Sequence, residues 1–289
     1  MKFEDDINNW QIIKISSLLC NFTNMNKLQQ IKQTCQATLL GLYKKANAGH
    51  IGASLSCLDI LIYLFSEKVG KNGQVILSKG HAAGALYTVL AKFGRISTEQ
   101  LDTFYKEGTS LAAHPPCNGS IKDIPFGTGS LGHGLSLATG FAFSQTFTEK
   151  NYPVFCILSE GDCNEGSTWE AALFAAQHQL RNLTIIVDHN NLQGFGFSPD
   201  VLNLDSLVEK FEVFGFETVL AENGNDFDSL QKAFEILEQK KSSKPRCIIA
   251  KTTKGSGVSF MENKLEWHYL PMTDEQYEQA LNEIQNHHA

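Results

Sequence analysis

The chain is short of the features that place a protein outside the cell or across a membrane. Its seven cysteines are Cys20, Cys35, Cys57, Cys117, Cys156, Cys163 and Cys247, odd in number, scattered, and never spaced C-x-x-C. That pattern argues against a disulfide framework or a zinc site and fits reduced thiols in a cytosol. No apolar run approaches the ~18 residues of a membrane span. The opening MKFEDDINNW is acidic where a signal peptide is basic, so a cytoplasmic location without a membrane partner is expected. Positive charge is scarce too: 24 Lys and Arg against 31 Asp and Glu leave a net charge of −7. A global basic field is excluded, and nucleic acid is not an expected partner. Internal repeats, low-complexity tracts and linkers are absent.

What is present suits a globular α/β protein. Hydrophobic residues make up 42% of the 289 and charged residues 19%, enough for a sizeable core. Residues 1–25 show only a short helical stretch around Trp10 to Leu19 and read as an extension of a domain covering 26–289. From Lys27 on, Leu28, Ile31, Cys35, Leu39, Leu42 and Ala46 share one helical face. After a Gly-containing break at 48–52, Ser54 is the expected N-cap of a second helix. Apolar runs then alternate with helices. Strands are expected at Val75–Leu77, Val154–Leu158, Leu183–Val187, Phe216–Leu220 and Cys247–Ala250. Trp169, Leu173, Ala176 and Leu180 mark a helix between the second and third. The fold class is therefore α/β, a mostly parallel sheet with helices on both faces. Three of the seven prolines and four glycines fall within 107–130, and so long a loop in a compact domain is usually functional.

In an open parallel sheet, ligands bind beyond the carboxyl ends of the strands. Three polar turns follow three expected strands: Ser78-Lys79-Gly80-His81, the run from Ser159 to Gly166, and the run from Asp188 to Gly194. Glu160 and Asp162 offer carboxylate oxygens, and Asn190 or Asn191 an amide oxygen. Hard oxygen donors that leave room for phosphate oxygens describe a Mg²⁺ or Ca²⁺ site. The segment Gly127 to Gly134 can bring bare backbone near a ligand, and it opens a helix containing Ala138, Gly140 and Ala142. Backbone N–H groups at a helix start favour an anion. Each feature has a structural reading as well. A carboxylate after a strand often caps a helix, and His50, His81, His114 and His133 could each hold a turn.

Taken as ordered blocks, the motifs resemble those of transketolases, in particular the short N-terminal subunits of transketolases split over two genes. The blocks are AGHIGASLSCLDIL at 48–61, SKGHAAGALY at 78–87, GTGSLGHGLSLATGFA at 127–142, EGDCNEGSTWEAALFAAQH at 160–178, DHNNLQGFG at 188–196, and KGSGVSFMEN with WH at 254–268. The resemblance implies a thiamine diphosphate-binding fold over 26–289 and a Mg²⁺ or Ca²⁺ ion beside the cofactor. The family motif is Gly-Asp-Gly followed about thirty positions later by Asn. Laid on it, Glu160 replaces the metal-binding Asp, Asn190 is the second side-chain ligand thirty positions on, and Leu192 is a carbonyl ligand. A rival register makes Asp162 the metal-binding residue, twenty-eight positions before Asn190; the Glu165-Gly166 pair fits the first register better.

By the same resemblance, His50, His81 and His114 face the substrate. Cofactor contacts fall to His81, Gly129, Leu131, Gly161, Asp162, Glu165, Asn190 and His268, with Glu165 near a subunit interface. The implied activity is transfer of a two-carbon ketol unit from a ketose to an aldose, with phosphorylated sugars expected. It requires a C-terminal transketolase subunit that supplies the pyrimidine-binding domain, in an α2β2 assembly. Alternatives are a subunit of another thiamine diphosphate enzyme (a 2-oxoacid dehydrogenase or an unusual-sugar synthase) and a degenerate scaffold without catalysis.

Overall fold

The computed structural model describes residues 4–117, 119–148 and 151–286, and for 4–23 only the course of the backbone. Helix α1 (Glu4–Ala46) runs unbroken through position 25; the side chains of the Trp10–Leu19 stretch lie outside the described residues. Its buried stripe is the expected one, Leu28, Ile31, Cys35, Leu39 and Leu42, joined by Tyr43. Helix α2 (Ile51–Tyr63) is buried at every position and leads into a π-helical turn. It starts three residues before the expected N-cap. His50 takes that place with a left-handed φ of 74°, while Ser54 lies inside the helix and its Oγ bonds the Tyr43 hydroxyl at 2.7 Å. The turn at 48–50 is fixed from outside, because the His50 N–H donates to the His268 carbonyl at 3.1 Å.

All five expected strands form. After β1 (Gln74–Leu77) come α3 (Ala83–Lys92), the short α4 (Thr98–Leu101), and a long stretch without helix or strand that ends at α5 (His133–Ser144). Strand β2 (Val154–Ser159) runs into the single turn α6 (Glu160–Cys163) and then α7 (Gly166–Gln177). Next are β3 (Leu183–His189), a small hairpin of β4 (Leu192–Gln193) and β5 (Gly196–Phe197), α8 (Ser198–Val201) and α9 (Leu207–Val213). Strand β6 (Glu217–Ala221), α10 (Phe227–Gln239), β7 (Arg246–Lys251) and α11 (Asp274–Asn286) complete the order.

The main sheet is parallel throughout, in the order β1-β2-β3-β7-β6. Successive strand residues point to opposite faces, so each strand feeds two cores. Val75, Leu77, Phe155, Ile157, Ile186 and Ile248 pack under α1, α2, α3 and α10. Ile76, Cys156, Leu158, Ile185, Val187 and Ile249 pack under α5, α7 and α9. Burial on both faces explains why the strands read as continuous apolar runs. Because all five strands point the same way, the turns after β1, β2, β3 and β7 open on one rim.

Candidate functional site

A cleft of about 170 Å³ lies on that rim. The turn after β1 gives it Lys79 and His81, and the turn after β2 gives Ser159, Glu160 and Gly161. From the end of β3 come Asp188, Asn190, Leu192 and Gln193; from beyond β7 come Lys254, His268 and Tyr269. Leu131 reaches in from the start of α5, and Phe195, 88% exposed, stands at the mouth.

Two lysines dominate its electrostatics; the sequence placed Lys79 in the polar turn after β1 but gave neither lysine a role. Lys79 is 1% exposed; its ammonium pairs with Asp188 and donates to the Ala53 carbonyl at 3.1 Å. Burial opposes the charge on Lys79, but Asp188, Cys57 and Asp162 together outweigh it and raise the pKa. Asp188 is also bonded by Thr252 and by Ser56 (2.6 Å), and Ser56 in turn accepts from Asn190 Nδ2 at 2.9 Å. This buried chain turns the Asn190 amide so that its Oδ1 accepts from the Leu192 N–H at 3.0 Å. Lys254 has no carboxylate partner among the described residues. Its Nζ donates to the Leu192 carbonyl at 3.2 Å and to His268 Nδ1 at 3.0 Å. Burial, then the charge of Lys79, lowers its pKa to about 8.

Four histidines gather beside the lysines. His50 is central, with ring centroids 5.1 Å from His268, 5.6 Å from His81 and 6.1 Å from His114. His81 and His268 line the cleft itself. Burial, then neighbouring positive groups, depresses His50, His81 and His268, the last to about 3; burial depresses His114. The three expected catalytic histidines are thus brought together, uncharged at neutral pH, with His268 among them.

The two carboxylates after β2 have different roles. Asp162 is fully buried and does not line the cleft. Its oxygens accept from Ser78 Oγ (2.5 Å), the Gly132 N–H (2.9 Å), the Ser159 N–H (2.7 Å) and Ser159 Oγ (2.8 Å). It closes a capping box on α6, and it takes the Gly132 N–H at the start of α5 that the sequence left for an external anion. Glu160, 3% exposed, lines the cleft. Ser198 Oγ donates to its Oε2 at 3.1 Å; Oε1 lies 2.6 Å from His189 Nδ1 without hydrogen-bond geometry, so that oxygen has no donor. Among the described residues no three His, Cys, Asp or Glu side chains form a metal cluster. With Asp188, the other carboxylate of the lining, already held by Lys79, Ser56 and Thr252, the cleft presents the Glu160 carboxylate, the Asn190 amide and the Leu192 carbonyl as hard donors.

Of the other expected residues, Leu131 and Gly161 line the cleft. A Cβ on Gly161 would come 2.8 Å from Leu131 Cδ1, so a larger residue there would turn that side chain aside. Gly129, with φ 146°, lies one layer out, between Gly80 and His114. Glu165 is exposed and is the N-cap of α7 against Gly132. Besides the two lysines, the sequence reading missed Gln193, Phe195 and Tyr269, whose hydroxyl donates to the Gly194 carbonyl at 2.5 Å. The signal for Lys254 was its place beyond an apolar strand end, the position that singled out Lys79-Gly80-His81.

Known proteins resemble the chain in sequence and in fold. The family model described as transketolase, thiamine diphosphate binding domain, matches residues 29–286. The chain is 37% identical over 255 residues to one subunit of the apulose-4-phosphate transketolase of Phocaeicola vulgatus, spanning 85% of this chain and 89% of that one. It is 33% identical to the 6-deoxy-6-sulfo-D-fructose transketolase subunit SqwG of a Clostridium species, spanning 85% and 91%. Against human transketolase the identity is also 33%, but the match spans 90% of this chain and 43% of the human one. The solved transketolase of Campylobacter jejuni superposes with a TM-score of 0.78 at 31% identity, over 89% of this chain and 43% of that one. The chain therefore spans about two-fifths of the human and Campylobacter enzymes and nearly all of the two relatives that are themselves named as subunits.

Proposed function

The chain belongs to the family of transketolase thiamine diphosphate-binding domains, and from this premise we propose that it is the cofactor-binding subunit of a two-subunit transketolase. The cleft carries the reading. Lys79, Lys254, His81 and His268 converge on one wall, with a single buried carboxylate oxygen left without a donor opposite a fixed amide. That donor set suits a diphosphate and a Mg²⁺ or Ca²⁺ ion together: cationic and N–H groups for the phosphates, hard oxygens for the metal. Glu160, Asn190 and Leu192 would hold the metal. Asp162, whose oxygens already accept four hydrogen bonds, would brace the cleft from behind.

Thiamine diphosphate, when bound, supplies the carbon nucleophile by which a two-carbon ketol unit passes from a ketose to an aldose. This chain's residues bind and orient. Lys254 and His268, both in the cleft lining, would hold the diphosphate. His50, His81 and His114, uncharged near pH 7, can each accept a proton from a sugar hydroxyl at a ring nitrogen and return it. Phosphorylated sugars are the proposed substrates.

A second body completes the enzyme, and the outer face of α5 and α7 is where it would sit. From Pro125 to Thr148 the chain has no Asp, Glu, Lys or Arg, and α7 has only Glu170. Exposed apolar groups crowd this face: Phe147 (76%), Leu173 (57%) and Phe174 (42%), with Phe143 5.1 Å from the Phe147 ring and 5.2 Å from that of Phe174. The two helices start side by side, Ser167 Oγ donating to the Gly132 carbonyl at 2.9 Å, next to Leu131 of the cleft lining. A partner seated here reaches the cofactor. The proposed partner is the subunit carrying the pyrimidine-binding domain, the part of the longer relatives this chain does not span, in an α2β2 assembly. Calorimetry tests the reading: thiamine diphosphate should bind only with Mg²⁺ or Ca²⁺, and more tightly once the partner subunit is added. No binding in any mixture leaves a non-catalytic scaffold.

A further inference from the structure

Glu160 stands where the family motif has aspartate, and its extra methylene adds a rotatable bond that must be frozen before the carboxylate can hold an ion. Two neighbours meet that carboxylate. Ser198, 2% exposed, donates to Oε2 at 3.1 Å, and its own N–H donates to the Asn191 carbonyl at 2.8 Å, so one residue grips both the carboxylate and the loop after β3. His189 brings Nδ1 to 2.6 Å from Oε1, and neither atom has a hydrogen-bond partner. Both residues line a second cavity that Glu160 shares, and neither lines the cleft, so they meet the side chain away from it.

We propose that His189 and Ser198 are positioning residues that hold the longer Glu160 carboxylate in place for the cofactor's metal, an inference that rests on the reading above. Neither touches the cleft, and both act through Glu160. Partners behind a ligating carboxylate matter to metal affinity by about 10- to 100-fold. An aspartate, one methylene shorter, draws back from both, so the pair should matter only while residue 160 is glutamate.

The test is calorimetric titration of the full chain, alone and with its partner subunit, with thiamine diphosphate at fixed pH in saturating Mg²⁺ and in Ca²⁺. Ser198→Ala and His189→Asn should each weaken metal-dependent binding about 10- to 100-fold. Ser198→Thr, which keeps the hydroxyl, should restore most of it. In a Glu160→Asp background the Ser198→Ala and His189→Asn substitutions should change affinity less than about threefold, and thermal unfolding checks that every variant is folded. Equal losses in both backgrounds overturn the inference, because the effect is then not transmitted through the glutamate. Tighter binding on removal of either group also overturns it, showing that the pair draws the carboxylate away from the metal. No binding by the unsubstituted protein in any mixture sinks the functional reading itself, and this inference with it.

Discussion

Lys254 carries the clearest consequence of a single side chain. Its folded pKa of about 8 lies below the unfolded value, so the folded protein releases that proton first. Stability from this group therefore rises with pH between about 8 and 10, and below 8 its buried charge costs stability. A bound diphosphate favours the charged form. Affinity for thiamine diphosphate should be flat from pH 7 to 8 and then fall by up to ~tenfold per pH unit. Lys254→Met should bind weakly at pH 7 and lose that slope, which calorimetry at pH 7, 8 and 9 would show. A slope unchanged in the variant would assign it to another group. Gly129 is constrained by space and by backbone: with φ 146° and a Cβ position 2.9 Å from the His114 ring, Gly129→Ala should cost about 1–3 kcal/mol. Chemical denaturation would show it as a lower midpoint.

At the scale of elements, Asp162 ties three together: the capping box of α6, Ser78 after β1, and Gly132 before α5. Asp162→Ala leaves several buried donors unpaired and should destabilise by about 2–4 kcal/mol, with the denaturant slope unchanged. A shift under ~0.5 kcal/mol would mean water replaces the carboxylate. The five strands were legible because burial on both faces made each a continuous apolar run closed by a polar, Gly-containing turn. The hairpin of β4 and β5 was not, since two-residue strands carry no periodicity. Nor was the start of α2. Ser54 looks like a cap, but the helix begins where His50 is pinned by His268, more than two hundred residues away. The histidine cluster and the carboxylate pair were legible as motifs. For their division of labour the family register favoured Glu160 as metal ligand; what was not legible is that the Asp162 oxygens are taken up by Ser78, Ser159 and Gly132. Lys79 and Lys254 were hidden for a similar reason: a lysine reads as surface until a strand end buries it.

For the whole molecule, the charge-poor face of α5 and α7 predicts assembly. Phe174→Glu or Leu173→Glu should abolish the complex with the partner subunit, seen by size exclusion with light scattering, while the fold stays within ~0.5 kcal/mol. An unchanged complex would place the partner elsewhere. A self-associated state in the unsubstituted chain that the same variants disperse would assign the face to a second copy.

The clamp between the turn at 48–50 and His268 also has a meaning in time. A chain emerging from the ribosome delivers α2 and β1 early, and His268 and Tyr269 only after every strand has been made. Domains fold during synthesis from the N-terminal side. A nascent chain can therefore have its sheet while still lacking one wall of its cleft, so cofactor loading waits for His268 and cannot guide the sheet's formation.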